Sequence, residues 1–599
     1  MCSIIGYRGN NSAAPILVKG LQKMEYRGYD SVGIATKSEN QILLRKGVGK
    51  VVEVNNAIQL DKLPGNIGIG HTRWATNGKV TEQNAHPHSS NSGKIAIVHN
   101  GIIENFKELK SNLQNKGFDF QSETDTEVIA NLIQLNYDEA LGRIPKYPFE
   151  MFDAVKQSII KTVSQISGHY SFVAIFEDGT IAAARFHEPL IVGVGKDYSY
   201  YLSSDVLGFI EKTDDAIYVD NEDFVILKPD STGVEIFGFD GIPVKYQITK
   251  VSKEFADAYK GDYAHFTLKE ISEQPDSILK AGNNDQIQQF ADSIKQAKNL
   301  YITGSGTSYN AAEIAKYLMS KFAKIKINTV IASELPFSPN DIEQNSTLVT
   351  ISQSGESADV LEAVKIAKKS NTSILSIVNH LNSSLSQESS LVIGLNCGPE
   401  IGVAATKSFT SQLAILYKIT DKICNGCINP DWEKISLVIS QILSNNSKIK
   451  EIAKDLKEVS DIYVLGRGIH LPIAREAALK LKELSYIHAE GIAGGELKHG
   501  PLALMDSNVY VIIINPNDST YNDTLNSANE IKARGAKIIG ISDKENDVYD
   551  HWVKIPSIDE PMYPIIEIVP IQLLAYYSAI EKETNPDYPR NLAKSVTVK

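Results

Sequence analysis

Cys2 follows Met1 directly in a chain that holds four cysteines. Removal of the methionine would leave a thiol and a free α-amino group on one residue, a nucleophile and a base together. An α-amino group of pKa about 7.7–8.0 is placed to take a thiol proton near neutrality. A second set lies far along the chain. Glu476, Lys480 and Glu483 recur at i, i+4 and i+7, which puts acid, base and acid on one helix face. A solvated charge ladder has the same spacing, but Ala477, Ala478 and Leu479 favour packing. With His499 in the Lys498-His499-Gly500-Pro501 loop, the set suits proton transfer at a carbonyl carbon. A third set is Ser352-Gln353-Ser354-Gly355-Glu356-Ser357, after the apolar run TLVTI and before a helical pattern. Hydroxyls, an amide and free N–H groups at a helix N-terminus form an anion cradle that needs no lysine. Last, Lys594 is a lone amine among small and apolar neighbours in PRNLAKSVTVK.

Three kinds of element must position these groups. Up to about residue 240, short alternating stretches such as KIAIVHNGII and SFVAIFEDGTIAAARF predict antiparallel strands, with a hairpin at Asp178-Gly179. From about 240 to 280 the texture is charged and irregular, which reads as a linker entering a helix. Beyond it, short apolar strands alternate with long helical patterns, as in a parallel doubly wound sheet. That half repeats. NLYITGSG at 299 matches DIYVLGRG at 461, and STLVTISQSGES at 346 matches NVYVIIINPNDS at 508, so both pairs are offset by 162 residues. Two pairs in register argue for a duplicated domain. The second copy has Pro516-Asn517-Asp518 where the first has its cradle. G-x-G is a weak dinucleotide signal here, because Tyr309 and Leu471 stand where a third glycine belongs.

Composition sets the outer limits. A net charge of −12 argues against a nucleic-acid scaffold. Four cysteines are too few for a disulfide framework, and Cys424-Asn425-Gly426-Cys427 reads as a loop after a helix, so a reducing compartment is expected. The stretch IVPIQLLAYYSAI (568–580) is too short to span a bilayer and reads as a buried helix. With no charged-then-apolar leader, a soluble cytoplasmic protein is expected. His86-x-His88 lacks a third ligand at suitable spacing and is read as structural.

The segments GSGTS (304–308), SQSGES, EIGVAATKSFT (400–410), ALKLKELSYIHAE…ELKHGPLAL and PRNLAKSVTV resemble the double sugar-isomerase half of glutamine–fructose-6-phosphate aminotransferases. MCSIIGY, EYRGYDSVGIA (25–35), GHTRWATNG (70–78), NAHPH (84–88), HNGIIEN (99–105) and SETDTEV (122–128) resemble the glutaminase of the same family. The resemblance implies an α+β N-terminal-nucleophile (class II glutamine amidotransferase) domain followed by two α/β sugar-isomerase (SIS) domains with parallel doubly wound sheets. It divides the chain into 2–222 (glutaminase), 223–279 (linker), 280–430 and 452–589 (SIS domains), and 590–599 (catalytic tail). Ser3, Asn77 and Ala405 depart from the family pattern.

The residue roles that follow are implied by that resemblance. Cys2 attacks the glutamine amide, Asn100 and Gly101 hold the oxyanion, and Arg73, Trp74, Thr76 and Asp125 bind glutamine, with Trp74 gating ammonia. Thr307, Ser308, Ser352, Gln353, Ser354, Ser357, Val403 and Glu483 bind the sugar phosphate. His499 assists ring opening, Lys594 forms the Schiff base, and Lys480 and Glu483 move a proton between C1 and C2. The implied reaction converts fructose 6-phosphate and glutamine to glucosamine 6-phosphate and glutamate, the first step of hexosamine synthesis. No metal or organic cofactor is implied, and the family implies a homodimer. Two other classes fit parts of the chain: an isomerase or deaminase using free ammonia, and a non-catalytic sugar-phosphate sensor. The Cys2, Arg73, Asn100 and Asp125 set counts against the first. The Lys480, Glu483, His499 and Lys594 set counts against the second.

Overall fold

The computed structural model describes residues 2–39, 41–142, 150–229, 233–251, 260, 262–284 and 286–596. They fall into two compact units. One is the chain up to Tyr259 with the residues after Lys594, and the other is Lys260–Lys594.

The first unit is built on two antiparallel sheets of eight and six strands. Their facing sides form one apolar layer, in which Ile4, Ile69 and Leu202 meet Val98, Val173 and Val225. The helix Ala13–Met24 packs on the strands Ser3–Arg8 and Ile67–Arg73, while Asp125–Leu141 and Glu150–Val163 cover the smaller sheet. Every residue of Ser3–Arg8 is therefore buried, on both faces of its sheet. Pairing Ser3 with Thr72 brings Cys2 to the end of Ile67–Arg73, beside Trp74. Ser3 itself is buried and donates to the Met24 carbonyl at 2.8 Å.

Residues placed by the sequence in a linker differ here. Asp223–Leu227 and Glu235–Gly238 are strands of the six-stranded sheet, and Phe266–Ser272 and Gln274–Gly282 are helices of the second unit. Residues 252–259, also in that expected linker, lie outside the described residues, as do 597–599 of the tail.

The second unit repeats one topology. Its first sheet orders the strands Asn328–Ile331, Leu300–Gly304, Thr347–Ser352, Ser373–Val378 and Leu391–Gly394, all parallel. The second orders His488–Ala493, Asp461–Gly466, Tyr510–Ile514, Lys537–Ser542 and His551–Lys554 in the same way. The order reverses between the first and third strands of each copy, where an open α/β sheet leaves a crevice at its carboxyl ends. In the first copy the GSGTS and SQSGES loops leave the sheet at that switch point. One apolar core spans both copies and includes the helix Tyr563–Glu581. That helix is buried, as the sequence reading has it, but is longer than 568–580: with the turn before it the segment is long and apolar enough to cross a membrane, yet it lies in this core.

The cysteine loop is also different from expectation. Cys424 and Cys427 form a disulfide across the end of the helix Lys407–Ile423. Asn425 and Gly426 both take positive φ, and the Asp421 carboxylate accepts the Ile428 and Asn429 amides, which folds the loop back on itself. Alkylation of unfolded protein without reductant should therefore leave both cysteines unlabelled, and prior treatment with a dithiol should add two labels. Full labelling before reduction would refute the pairing.

Candidate functional site

In the first unit the residues around Cys2 form a tight polar set. The Cys2 thiol accepts the Trp74 N–H at 3.2 Å and faces the Trp74 carbonyl at 3.5 Å. Burial pushes this thiol up, against the opposing pull of the Trp74 amide and Arg73. A buried thiol that keeps its proton needs a base to become a nucleophile. Asn100 donates from Nδ2 to the Cys2 carbonyl at 3.2 Å, and Arg27 donates to the same oxygen at 3.4 Å. His71 fixes the other end of Asn100: its Nε2 lies 3.1 Å from Asn100 Oδ1 and 2.9 Å from the His99 carbonyl. Both partners are acceptors, so Nε2 carries the proton. Burial drives the His71 pKa down to about 3, which keeps the ring neutral. Gly101 has φ of 109°, and a Cβ there would lie 2.0 Å from the His169 carbonyl, so only glycine fits.

Arg73 is buried, and its guanidinium donates to the carbonyls of Asn77, Gly78 and Lys79, fixing the turn that follows. Asp125 opens the helix Asp125–Leu141 and accepts the Ile103 N–H at 2.8 Å through one oxygen. Trp74 is half-buried with its ring edge-on to Tyr29, and Thr76 is exposed. His86 and His88 are buried and reach Thr126 and Thr124 at 3.1 and 3.0 Å. Among the described residues no group of three or more His, Cys, Asp or Glu is arranged to hold a metal. Arg27 and His71 lie inside recognised segments but carry no spacing signal of their own.

In the second unit the first-copy crevice holds the cradle. The Gly355 N–H donates to Ser352 Oγ at 3.0 Å, and Gly355 takes φ of 69°. Ser357 caps the helix Ala358–Lys369, whose first N–H groups gain no side-chain partner from that cap. This leaves donors for an anion at the helix N-terminus. Ser308 is buried and accepts from Gln412 at 3.1 Å. Thr307, expected at the sugar phosphate, donates to Glu476 at 3.0 Å and accepts from Lys480 at 3.2 Å. Asn310 donates to the second Glu476 oxygen at 2.8 Å. The charge ladder of the helix His470–Ser485 is thus not solvated. Lys480 and Glu476 are 0 % exposed, and Lys480 pairs with Glu483 and Glu476.

Lys594 donates to Glu400 Oε2 at 2.6 Å and to the Gly402 carbonyl at 2.8 Å. Burial would raise Glu400, but Lys594 and the Thr406 and Ser408 amides hold it well below the usual carboxylate range. Glu400 is a partner the sequence did not reveal. Val403, expected to give the sugar backbone contacts, donates its N–H to the Asp587 carbonyl at 3.2 Å. His499 is exposed in the turn Glu496–His499, and no side-chain partner for it is found among the described residues.

The second-copy crevice is closed by charge. His470, after the first strand, lies 2.8 Å from Asp518, after the third, and 2.9 Å from Glu567 of the long helix. Two carboxylate partners require both ring nitrogens to donate, hence an imidazolium. Burial alone would lower its pKa, but Glu567 and Asp518 raise it to about 10. A folded-state pKa above the ordinary 6.5 gives stability that is full below that pH and is lost as pH rises to about 10. Urea midpoints should therefore fall across that window, and His470→Gln should flatten the fall. Equal slopes for both proteins would refute the charged ring.

Comparison with known proteins agrees with this architecture. A glutamine amidotransferase domain model matches residues 55–163, and a SIS domain model matches 293–420 and 455–582. The glutamine–fructose-6-phosphate aminotransferase (isomerizing) of Pyrococcus horikoshii is 42% identical over 612 residues, covering 100% of both chains. The protein of the same name from Aquifex aeolicus is 37% identical over 613 residues, again covering 100% of each. Among solved structures, the C-terminal domain of glucosamine-fructose-6-phosphate aminotransferase from Francisella tularensis is 36% identical. It covers 55% of this chain and 100% of its own, with a TM-score of 0.51. With a glutamine amidotransferase domain at its N-terminus and two SIS domains after it, this chain belongs to the glutamine–fructose-6-phosphate aminotransferase (isomerizing) family.

Proposed function

We propose that the protein transfers the amide nitrogen of glutamine to fructose 6-phosphate and isomerises the product to glucosamine 6-phosphate. The observation that carries this reading is the pairing, in one chain, of a hydrogen-bonded Cys2–Trp74–Asn100 set with a buried Lys594–Glu400 pair at the end of a sugar-isomerase fold. In the first site the α-amino group of processed Cys2 takes the thiol proton. The sulfur attacks the glutamine amide carbon, the oxyanion meets Asn100 and Gly101, and ammonia leaves. Water then cleaves the thioester to give glutamate. Removing one oxyanion donor typically costs ~2.7–4 kcal/mol of transition-state stabilisation. In the second site Lys594 forms an imine with the open ketose, ammonia replaces the lysine at C2, and Lys480 with Glu483 moves the proton from C1. Ser352, Gln353, Ser354 and Ser357, with Ser308, are assigned to the phosphate and sugar. Thr307 supports Glu476 and Lys480, and His499 is assigned to ring opening.

The substrates are glutamine and fructose 6-phosphate, the assembly a homodimer, and the setting the cytoplasm. We divide the chain functionally into 2–222, 223–279, 280–430, 452–589 and 590–599. Incubating pure protein with both substrates and assaying glutamate and amino sugar together tests the reaction, and glutamate without amino sugar would refute it. Arg73→Ala should raise the KM for glutamine about ten- to a hundredfold, the value of one charge-assisted hydrogen bond of roughly 1.5–3 kcal/mol. A fall in kcat at unchanged KM would mean that Arg73 only holds the turn at 77–79.

A further inference from the structure

Glu270 belongs to a stretch that reads as linker, yet it is 1 % exposed. It sits on the helix Phe266–Ser272, and its Oε1 accepts the N–H groups of both Ile401 and Gly402. The next carbonyl along, that of Gly402, accepts Lys594, whose second partner is Glu400. A Cβ on Gly402 would lie 2.7 Å from Thr267 Oγ1 and 2.9 Å from Glu270 Oε2, so the helix and the loop meet with no side chain between them. The same helix is tied to the chain that leads into Lys594. Asp587 accepts the Phe266 and Thr267 amides at 2.9 and 2.8 Å, and its carbonyl takes the Val403 N–H. Three segments far apart in sequence therefore close a ring around the Lys594 ammonium, and Glu270 is the side chain that joins helix to loop.

We propose that Glu270 is a positioning residue for Lys594, holding the Glu400–Gly402 segment so that its carboxylate and carbonyl aim the amine at the sugar. The proposal rests on the Schiff-base reading of Lys594 given above. A hydrogen-bonded backbone segment is a stiff support, and an error of about 1 Å at the reacting atom costs on the order of a hundredfold in rate. The charged groups that face Glu270 are Glu400, Lys594 and Lys407. Burial and the Glu400 charge push Glu270 up to about 8, with Lys594 and Lys407 pulling the other way. Cys397, beside Glu400, is pushed up to about 12 by burial and stays neutral in this range. Below about pH 8 the carboxyl is therefore neutral, and a glutamine of the same shape accepts the same two amides. Above it, a second negative charge stands beside Lys594 and favours the ammonium over the free amine.

The test uses the full-length protein and reads borohydride trapping of fructose 6-phosphate on the Lys594 peptide, with kcat for synthesis and glutamine hydrolysis alongside. Glu270→Ala should lower kcat and trapping together by tenfold or more, with the KM for fructose 6-phosphate changed less than threefold and glutamine hydrolysis retained. Glu270→Gln should recover most of that loss at pH 7, and the wild-type-to-Gln ratio of trapping rates should fall as pH rises through about 8. Should the alanine variant fail to fold, Glu270→Asp, which keeps the carboxyl but cannot reach both amides, should show the same loss. Trapping in both the alanine and aspartate variants at the wild-type rate overturns the positioning role alone. Absence of any Lys594 label in the wild type overturns the Schiff-base reading and this proposal with it.

Discussion

Replacing Cys2 with alanine should abolish glutamine-dependent synthesis of amino sugar while leaving fructose 6-phosphate binding intact. The buried thiol receives the Trp74 amide and sits with its carbonyl held by Asn100 and Arg27, so alanine removes the sulfur and little else. Losing a covalent nucleophile that acts with its base as a unit costs on the order of 10⁶-fold in turnover. Ammonia supplied at high concentration bypasses the lost step, so the variant should regain synthesis from ammonium salts at raised pH. Retained synthesis from glutamine would sink the assignment, and so would full activity in protein whose mass shows an unprocessed methionine.

Lys594→Arg should lose amino-sugar synthesis to background and keep glutamine hydrolysis. Arginine retains the positive charge that Glu400 requires but cannot form an imine. Charge is kept for a physical reason: the Glu400 side chain is 0 % exposed, and removing one partner of a buried ion pair costs about 3–5 kcal/mol. Lys594→Ala would therefore confuse chemistry with stability. Borohydride with fructose 6-phosphate should label the wild-type tail peptide and spare the arginine variant. Label on Lys480 instead would move the Schiff base to the helix His470–Ser485 and leave the tail a purely structural role.

How much of this was legible in the sequence depended on distance along the chain. The duplicated sheet was readable, because strand, G-x-G turn and helix recur within about thirty residues and repeat in register. The cradle was readable for the same reason, since its donors are neighbours. The partners of the charged groups were not. Glu400 and Lys594 are 194 positions apart, Glu476 and Thr307 are 169 apart, and His470 and Glu567 are 97 apart. No local pattern encodes such pairs, although Ala477, Ala478 and Leu479 already favour packing over a solvated ladder. Glu270 was hidden differently. The helix Phe266–Ser272 is short and its charged composition resembles a linker, although one of its carboxylates is buried. Cys424 and Cys427 were read as a plain loop because one pair of cysteines matches no framework, whereas the backbone of Asn425 and Gly426 brings the sulfurs together.

The ring joining Phe266–Ser272, the 400–403 loop and the chain from Asp587 to Lys594 bears on how the protein is born. A ribosome delivers the first two segments long before the third, at roughly 5–20 residues per second. Through that interval Glu400 lacks the lysine that offsets its charge, a carboxylate asked to enter an apolar interior beside a neutral Glu270. Desolvation of that charge opposes closure of the loop. The isomerase half can seal only when the segment from Asp587 to Lys594 docks, so the nascent chain carries an unclosed seam until that segment emerges. Long-range closures of this kind are slow steps in folding. Lys594 thus acts as a latch on this seam, closing it when its ammonium meets Glu400 and the Gly402 carbonyl.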